Sequence, residues 1–362
     1  MLASKEKIST RQAVILFLTL VYSPAIRIFP VFSAKIGERA GWLTPILAVL
    51  PLICLVYTMN ALFKREKEAN LSDMLIKILG RIPGRILLFI YILWLMVLLS
   101  LYVRYFAERF LTSLLPNTPM PFFTFTILIV VFYVVRGGIV PLTRTTEFLF
   151  LAFSVIFIII FMLTLTNVKI TNLLPVTYYD IWPITKSTYS ILGIWGYFTF
   201  IFFFGDKIND KEHIRRFGLQ GAVYLVIVTL LLLIQTIGVY GYTIIERLSM
   251  PYFVVAKSIS ILDTIERIES VVLAFWIIVD FVIISVFMYI ILSMIKSLFN
   301  LTGAKSLISP VTIFTFIFSF YLAKNSFELS NFSSYIGLPI NIVLGFIIPF
   351  ILLMIGKVRR VI

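Results

Sequence analysis

Apolar runs of about 18 residues or more recur from one end of this chain to the other, which removes most folds from consideration. A backbone in lipid must satisfy its own polar groups, so such runs cross a bilayer as helices. The 362 residues are 60% hydrophobic and 13% charged, with a mean hydropathy of +1.05, leaving no stretch for a soluble domain. The expected fold is an all-α polytopic membrane protein forming one integral membrane domain over residues 1–362. Ten spans are read at 12–36, 42–62, 85–114, 119–135, 145–166, 184–204, 218–245, 270–298, 306–323 and 336–356. No small-residue cleavage site follows a short apolar core near the start, so the first span is read as retained.

Lys and Arg set the orientation. With the N-terminus inside, the inner segments hold twenty basic residues and the outer ones nine, Arg109 among the latter. Both termini are therefore expected in the cytoplasm. The formal net charge of +14 is mostly this topology. Its scatter over short loops suits anionic lipid headgroups rather than nucleic acid. Cys54 is the only cysteine and His213 the only histidine, so zinc, haem and iron–sulfur sites have no ligand set and no cofactor is expected. Hydrolase, Walker A and zincin motifs are missing, so the chain does not read as an enzyme.

Ten helices divide into five and five, the count of an inverted-repeat transporter-like fold whose halves each begin with a broken helix. The repeats are expected over about 12–166 and 184–356. The first span contains Ser23-Pro24-Ala25-Ile26-Arg27-Ile28-Phe29-Pro30, in which two prolines each remove a backbone donor. The sixth contains Gly193-Ile194-Trp195-Gly196-Tyr197, with its glycines ~14 and ~18 Å deep. Breaks at corresponding positions point to a midplane site, although glycines also serve close helix packing.

Ionisable residues at membrane depth are functional candidates by default. Arg27 lies ~22 Å from the inner end of its helix and Asp280 ~15 Å from the outer end of its own, ~7 Å apart along the membrane normal. Three readings stand open: a structural Arg27–Asp280 ion pair, a ligand carboxylate held at Arg27 or the broken helix end, and snorkelling of Arg27 to the outer interface. Arg104 and Glu108, four apart, read as a structural pair. Tyr102 and Ser285 are further lining candidates. Loop 63–85 is expected to hold a short amphipathic helix near 71–79, stopped by Gly80 and Pro83. Loop 246–269 is expected to hold an amphipathic helix after Pro251, a candidate lid.

Several short motifs, in order, carry a resemblance: Ile8-Ser9-x-x-Gln12 before the first span, Gly41-Trp42-Leu43 opening the second, and Pro251 followed by Ile265-Glu266-Arg267-Ile268-Glu269 and Trp276. The chain resembles the spore germination permease family, the B subunits of germinant receptors, within the amino acid–polyamine–organocation superfamily. The resemblance implies a nutrient sensor in the spore inner membrane. Such a subunit binds a small germinant, often an amino acid, and acts with an A subunit and a C lipoprotein. It places the pocket at Ser23, Pro24, Ala25, Ile26 and Arg27, at Gly193, Gly196 and Tyr197, and at Tyr102, Asp280 and Ser285 on facing helices. One departure stands out, because superfamily members commonly carry small residues or glycine in the first break, where this chain has Pro24 and Arg27. An independent secondary transporter of amino acids or related solutes is the alternative, and a structural or assembly protein a third reading.

Overall fold

The computed structural model describes residues 7–259 and 268–361. Helices account for nearly all of them. Seven helical runs are long and apolar enough to cross a membrane. One of these, Thr10–Leu62, holds two helices, α1 (Thr10–Gly37) and α2 (Thr44–Leu62), joined by a 3-10 turn over Glu38–Leu43. Shorter apolar helices at Met120–Arg136 and Lys305–Tyr321 occupy the expected fourth and ninth spans.

The first half continues with α3 (Leu71–Leu79), α4 (Arg81–Ser113), α5 (Met120–Arg136) and α6 (Ile139–Thr164). The second half runs through α7 (Ile181–Trp195), α8 (Tyr197–Phe200), α9 (Ile214–Tyr240), α10 (Tyr242–Ile245), α11 (Pro251–Lys257), α12 (Ile268–Phe299) and α13 (Ile308–Tyr321). The last apolar run comprises α14 (Ser326–Phe332), α15 (Leu338–Ile342) and α16 (Ile348–Val358), linked by two wider π turns. α1 packs on α7, α2 on α9, α4 on α12 and α5 on α13. Each of these spans thus packs on the one expected five spans later.

The short helix α3 forms where the amphipathic pattern predicts it. Asn70 and Asp73 make a reciprocal capping box, and Gly80 ends the helix at φ +100°, a conformation that favours glycine. The segment before α1 is pinned to the loop between α8 and α9. Ile8 donates to the Lys207 carbonyl at 2.8 Å, Asn209 donates back to Ile8 at 2.9 Å, and Thr10 bonds Asp210 twice. Beside them, Lys211 is buried and donates to the Lys67 and Ala69 carbonyls at 2.6 Å each. The end at which α1 begins, inner in the predicted orientation, is therefore tied shut around the N-terminal segment.

The motif residues have local explanations. Ser9 and Gln12 form the capping box that starts α1, and Gln12 reaches on to Glu147 at 2.9 Å. A side chain at Gly41 would collide with the Ser33 carbonyl, so the α1–α2 corner closes only on glycine. Trp42 donates to the Leu173 carbonyl at 3.3 Å. Pro251 opens α11, where its missing N–H costs nothing. The rest of the expected lid helix, with Ile265, Glu266 and Arg267, lies outside the described residues.

The two expected helix breaks diverge. α1 is continuous through Pro24 and Pro30, correcting the expectation of a broken first helix. Each proline deprives one carbonyl, of Leu20 and Ile26, of its ladder bond, yet packing on α7, α9, α6 and α12 keeps the helical path. The sixth span does break: α7 stops at Trp195, α8 lasts four residues, and a 3-10 segment over Ile201–Lys207 follows, with Phe204 non-helical.

Candidate functional site at the helix 6 break

Helix α4 carries the site. Tyr91, Trp94, Leu98, Tyr102, Tyr105 and Arg109 recur at steps of three and four, which lays them along one face. That stripe points at α1, α8, α12 and α15. Tyr91 donates to the Leu344 carbonyl at 2.6 Å, and Trp94 donates to Asn341 Oδ1 at 2.8 Å. The Tyr102 and Tyr197 hydroxyls lie 2.8 Å apart, and Asn341 Nδ2 donates to Tyr197 at 3.4 Å. The result is a buried relay from α4 through α15 to the first residue of α8. Buried polar groups of this kind persist because each has a partner.

Farther out on the stripe lies the ionic centre. Asp280 is fully buried on α12 and accepts from Arg109 through one oxygen and from Ser23 through the other. Trp276 Nε1 donates to Ser23 Oγ at 3.0 Å, and the Arg109 guanidinium stacks on the Trp276 ring at 3.8 Å. The partner of Asp280 is thus Arg109, and the Arg27–Asp280 ion pair, one of the three open readings, does not form. The count of basic residues places Arg109 at the outer surface, whereas it is 3% exposed. The seven-residue step from Tyr102 to Arg109 is the signal that would have placed it on the buried face.

Arg27 is half-buried one helical turn along α1 from Ser23. Its guanidinium lies over the Tyr105 ring, 3.1 Å from the centroid, and its Nη1 is buried with no hydrogen-bond partner. Among the described residues it makes no ion pair. The local ledger is two cations, Arg27 and Arg109, against one carboxylate, Asp280. Arg104 and Glu108 neutralise each other at 3.1 Å, as their spacing predicts.

The remaining candidates divide. Pro24 and Ala25 are buried within α1, and Ile26 with Ser23 lines an apolar cavity of about 60 Å³ between α1, α6, α11 and α12. Ser285 is fully buried with an unpartnered hydroxyl. Gly193 and Gly196 are packing glycines. A Cβ on Gly193 would sit 3.1 Å from Leu338 Cα, and one on Gly196 3.0 Å from the Asn341 carbonyl oxygen. Thr199 then donates to the Gly345 carbonyl at 2.6 Å, so a π turn of the last span holds the helix 6 break. Asn341, Trp94 and Arg109 are the contributors that sequence reasoning missed. Asn341 was visible as a lone amide in an otherwise apolar span.

Towards the end at which α1 begins, inner in the predicted orientation, the site is closed by aromatic rings. Phe287 lies 5.6 Å from Tyr102 and 5.2 Å from Tyr197, Phe200 lies 5.6 Å from Tyr197, and Phe203 lies 4.9 Å from Tyr91. All three phenylalanines are fully buried.

Comparison with known proteins accords with this architecture. The family model described as spore germination protein, a spore permease, matches residues 7–327. Spore germination protein A2 of Bacillus subtilis (strain 168) is 25% identical over 360 residues, covering 98% of this chain and 96% of that protein. Spore germination protein KB of the same organism is 24% identical over 357 residues, covering 96% and 92%. Among solved structures, MhsT in complex with L-phenylalanine superposes with a TM-score of 0.66 at 15% identity, covering 94% of this chain and 89% of MhsT. Mhp1, a nucleobase-cation-symport-1 family transporter, gives 0.56 at 11% identity, covering 94% and 78%. These two share the fold. The family match over residues 7–327 shows that the chain belongs to the spore germination permease family.

Proposed function

We propose that the chain is the B subunit of a germinant receptor. It binds a small nutrient carrying a carboxylate, an amino acid first among such solutes, and signals germination with an A subunit and a C lipoprotein. The spore inner membrane would hold it, with both termini in the cytoplasm. The observation that carries this reading is the uncompensated charge of Arg27. Asp280 is already satisfied by Arg109 and Ser23, so the buried centre keeps one excess positive charge and an open guanidinium nitrogen. An anionic ligand group is the natural counter-charge, and arginine recognises a carboxylate bidentately. The Leu20 and Ile26 carbonyls, which Pro24 and Pro30 leave without ladder donors, are acceptors for a ligand ammonium.

Tyr197 offers the path outward from the pocket. It stands at the break, bonded to Tyr102, and begins the α8 and 3-10 segment that ends at Lys207, to which Ile8 is bonded. A shift of Tyr197 on ligand binding would reach that inner latch through one short rigid segment. An independent secondary transporter remains the second reading, supported by the fold of the solved transporters it resembles. Sensor and transporter share a pocket and differ in whether the ring layer of Phe200, Phe203 and Phe287 opens.

Arg27→Gln is the test. It removes a charge-assisted bond worth about 1.5–3 kcal/mol, so spores carrying it should need roughly 10–100-fold more nutrient while the protein's melting temperature holds. Full nutrient sensitivity in those spores would overturn the pocket reading. Uptake of labelled amino acid by purified protein in liposomes would select the transporter, and a flat time course the receptor.

A further inference from the structure

A second concavity, separate from the ionic centre, opens at the inner end of the molecule. Its volume is about 1050 Å³, ample for a polar headgroup. Five basic side chains from four parts of the chain line it: Arg136 and Arg144 flank the α5–α6 corner, Lys207 ends the 3-10 segment, Lys296 lies on α12 and Lys305 precedes α13. Two carboxylates, Asp73 and Asp206, face them. Arg136, Arg144, Lys296 and Lys305 make no ion pair among the described residues. These four alone outnumber the two carboxylates, so the cavity carries a positive excess.

The flanking residues indicate what does. Tyr133 lies one turn before Arg136, Phe148 one turn after Arg144, and Phe299 three residues after Lys296; they are 67%, 74% and 65% exposed. Tyr133 and Phe148 each lie one turn deeper along their helix than the cation they flank, where a large apolar side chain belongs against acyl chains. Basic pockets between membrane helices on the cytoplasmic side take up anionic headgroups. We infer that this cavity binds the phosphate of an anionic phospholipid headgroup, with the acyl chains lying along α5 and α6. The inference rests on this end being the inner face, and it is independent of any nutrient bound at Arg27. A headgroup seated there would stand between the Phe200–Phe203–Phe287 layer and the cytoplasm.

The test is lipid retention by the full chain extracted from bilayers of equal phosphatidylglycerol and phosphatidylcholine, read by native mass spectrometry. Phosphatidylglycerol should be retained selectively. The Arg136→Gln/Arg144→Gln/Lys296→Gln variant should lose that selectivity, with apparent affinity falling about 100-fold. Lys64→Gln/Arg65→Gln/Lys357→Gln removes equal charge from exposed positions elsewhere at the same end and should stay within about twofold. Equal loss in both variants would overturn the site in favour of a diffuse field. A wild-type competition needs no variant to fold: retained lipid should survive millimolar inorganic phosphate. Displacement by phosphate, with phosphate stabilising the protein equally well, would overturn the lipid assignment in favour of a soluble phosphate.

Discussion

The first and sixth spans begin the two halves of this fold, and each has a sequence that looks unable to stay helical. They behave oppositely. The first contains Pro24 and Pro30 and runs unbroken from Thr10 to Gly37. The sixth has no proline near its midpoint and breaks at Gly196. Proline removes one ladder bond, a loss a helix can absorb when its neighbours confine it. The sixth span breaks because another backbone occupies the space beside it. A Cβ on Gly345 would fall 2.7 Å from Gly196 Cα, and the Gly345 carbonyl takes the Thr199 hydroxyl. A break in such a bundle is therefore a property of the facing helix as much as of the helix that breaks.

The comparison can be tested most severely at Asp280, which joins α1 through Ser23 to α4 through Arg109. Asp280→Ala strands the buried Arg109 beside Arg27 and should cost about 3–5 kcal/mol in thermal or denaturant melts. Adding Arg109→Met should restore much of that loss, since removing both charges leaves less unpaired than removing one. A mild single variant with no rescue would mean that α1 is held helical by packing alone.

A smaller effect is expected at the sixth-span break. Gly345→Ala forces a methyl group onto the Gly196 backbone and should cost about 1–3 kcal/mol, whereas Gly303→Ala, with open space around its Cβ, should be neutral. Equal melting temperatures for the two would deny that the Gly196–Gly345 approach shapes the break.

The smallest effect belongs to Pro24→Ala. An alanine N–H can reach the Leu20 carbonyl and add one ladder bond, a gain of about 1 kcal/mol at most. A marked loss of stability would show that the proline ring itself holds α1 in place. If the Leu20 carbonyl receives the ligand ammonium, the same variant should also weaken the nutrient response while stability rises.

Much of the architecture was legible because lipid leaves a chain so few choices. The apolar runs, the capping box at Ser9 and Gln12, the short helix ending at Gly80 and the Arg104–Glu108 pair all follow from spacing and local chemistry. The candidate site was legible only in outline. Ser23 meets Asp280 in one buried cluster and Tyr102 meets Tyr197 in another, both facing the α4 stripe, but Arg27 and Asp280 do not pair. Depth along the membrane normal is one coordinate, and pairing also depends on the rotation of each helix about its axis. Arg109 lies near the end of its helix and reads as a surface charge until α4 is rotated against α12. Gly193 and Gly196 are ambiguous between packing and binding until α15 and its π turns are placed against them.

The sequence by itself determined that the chain crosses a membrane many times and that it buries charge within its apolar helices. These follow from the cost of exposing backbone and charge to lipid, which acts on each segment separately. The tertiary structure decided which cation faces Asp280, which span breaks and which guanidinium is left open. Those outcomes depend on helix rotation and on contacts between residues far apart in the chain, as between Ser23, Arg109 and Asp280, and no single segment contains that information.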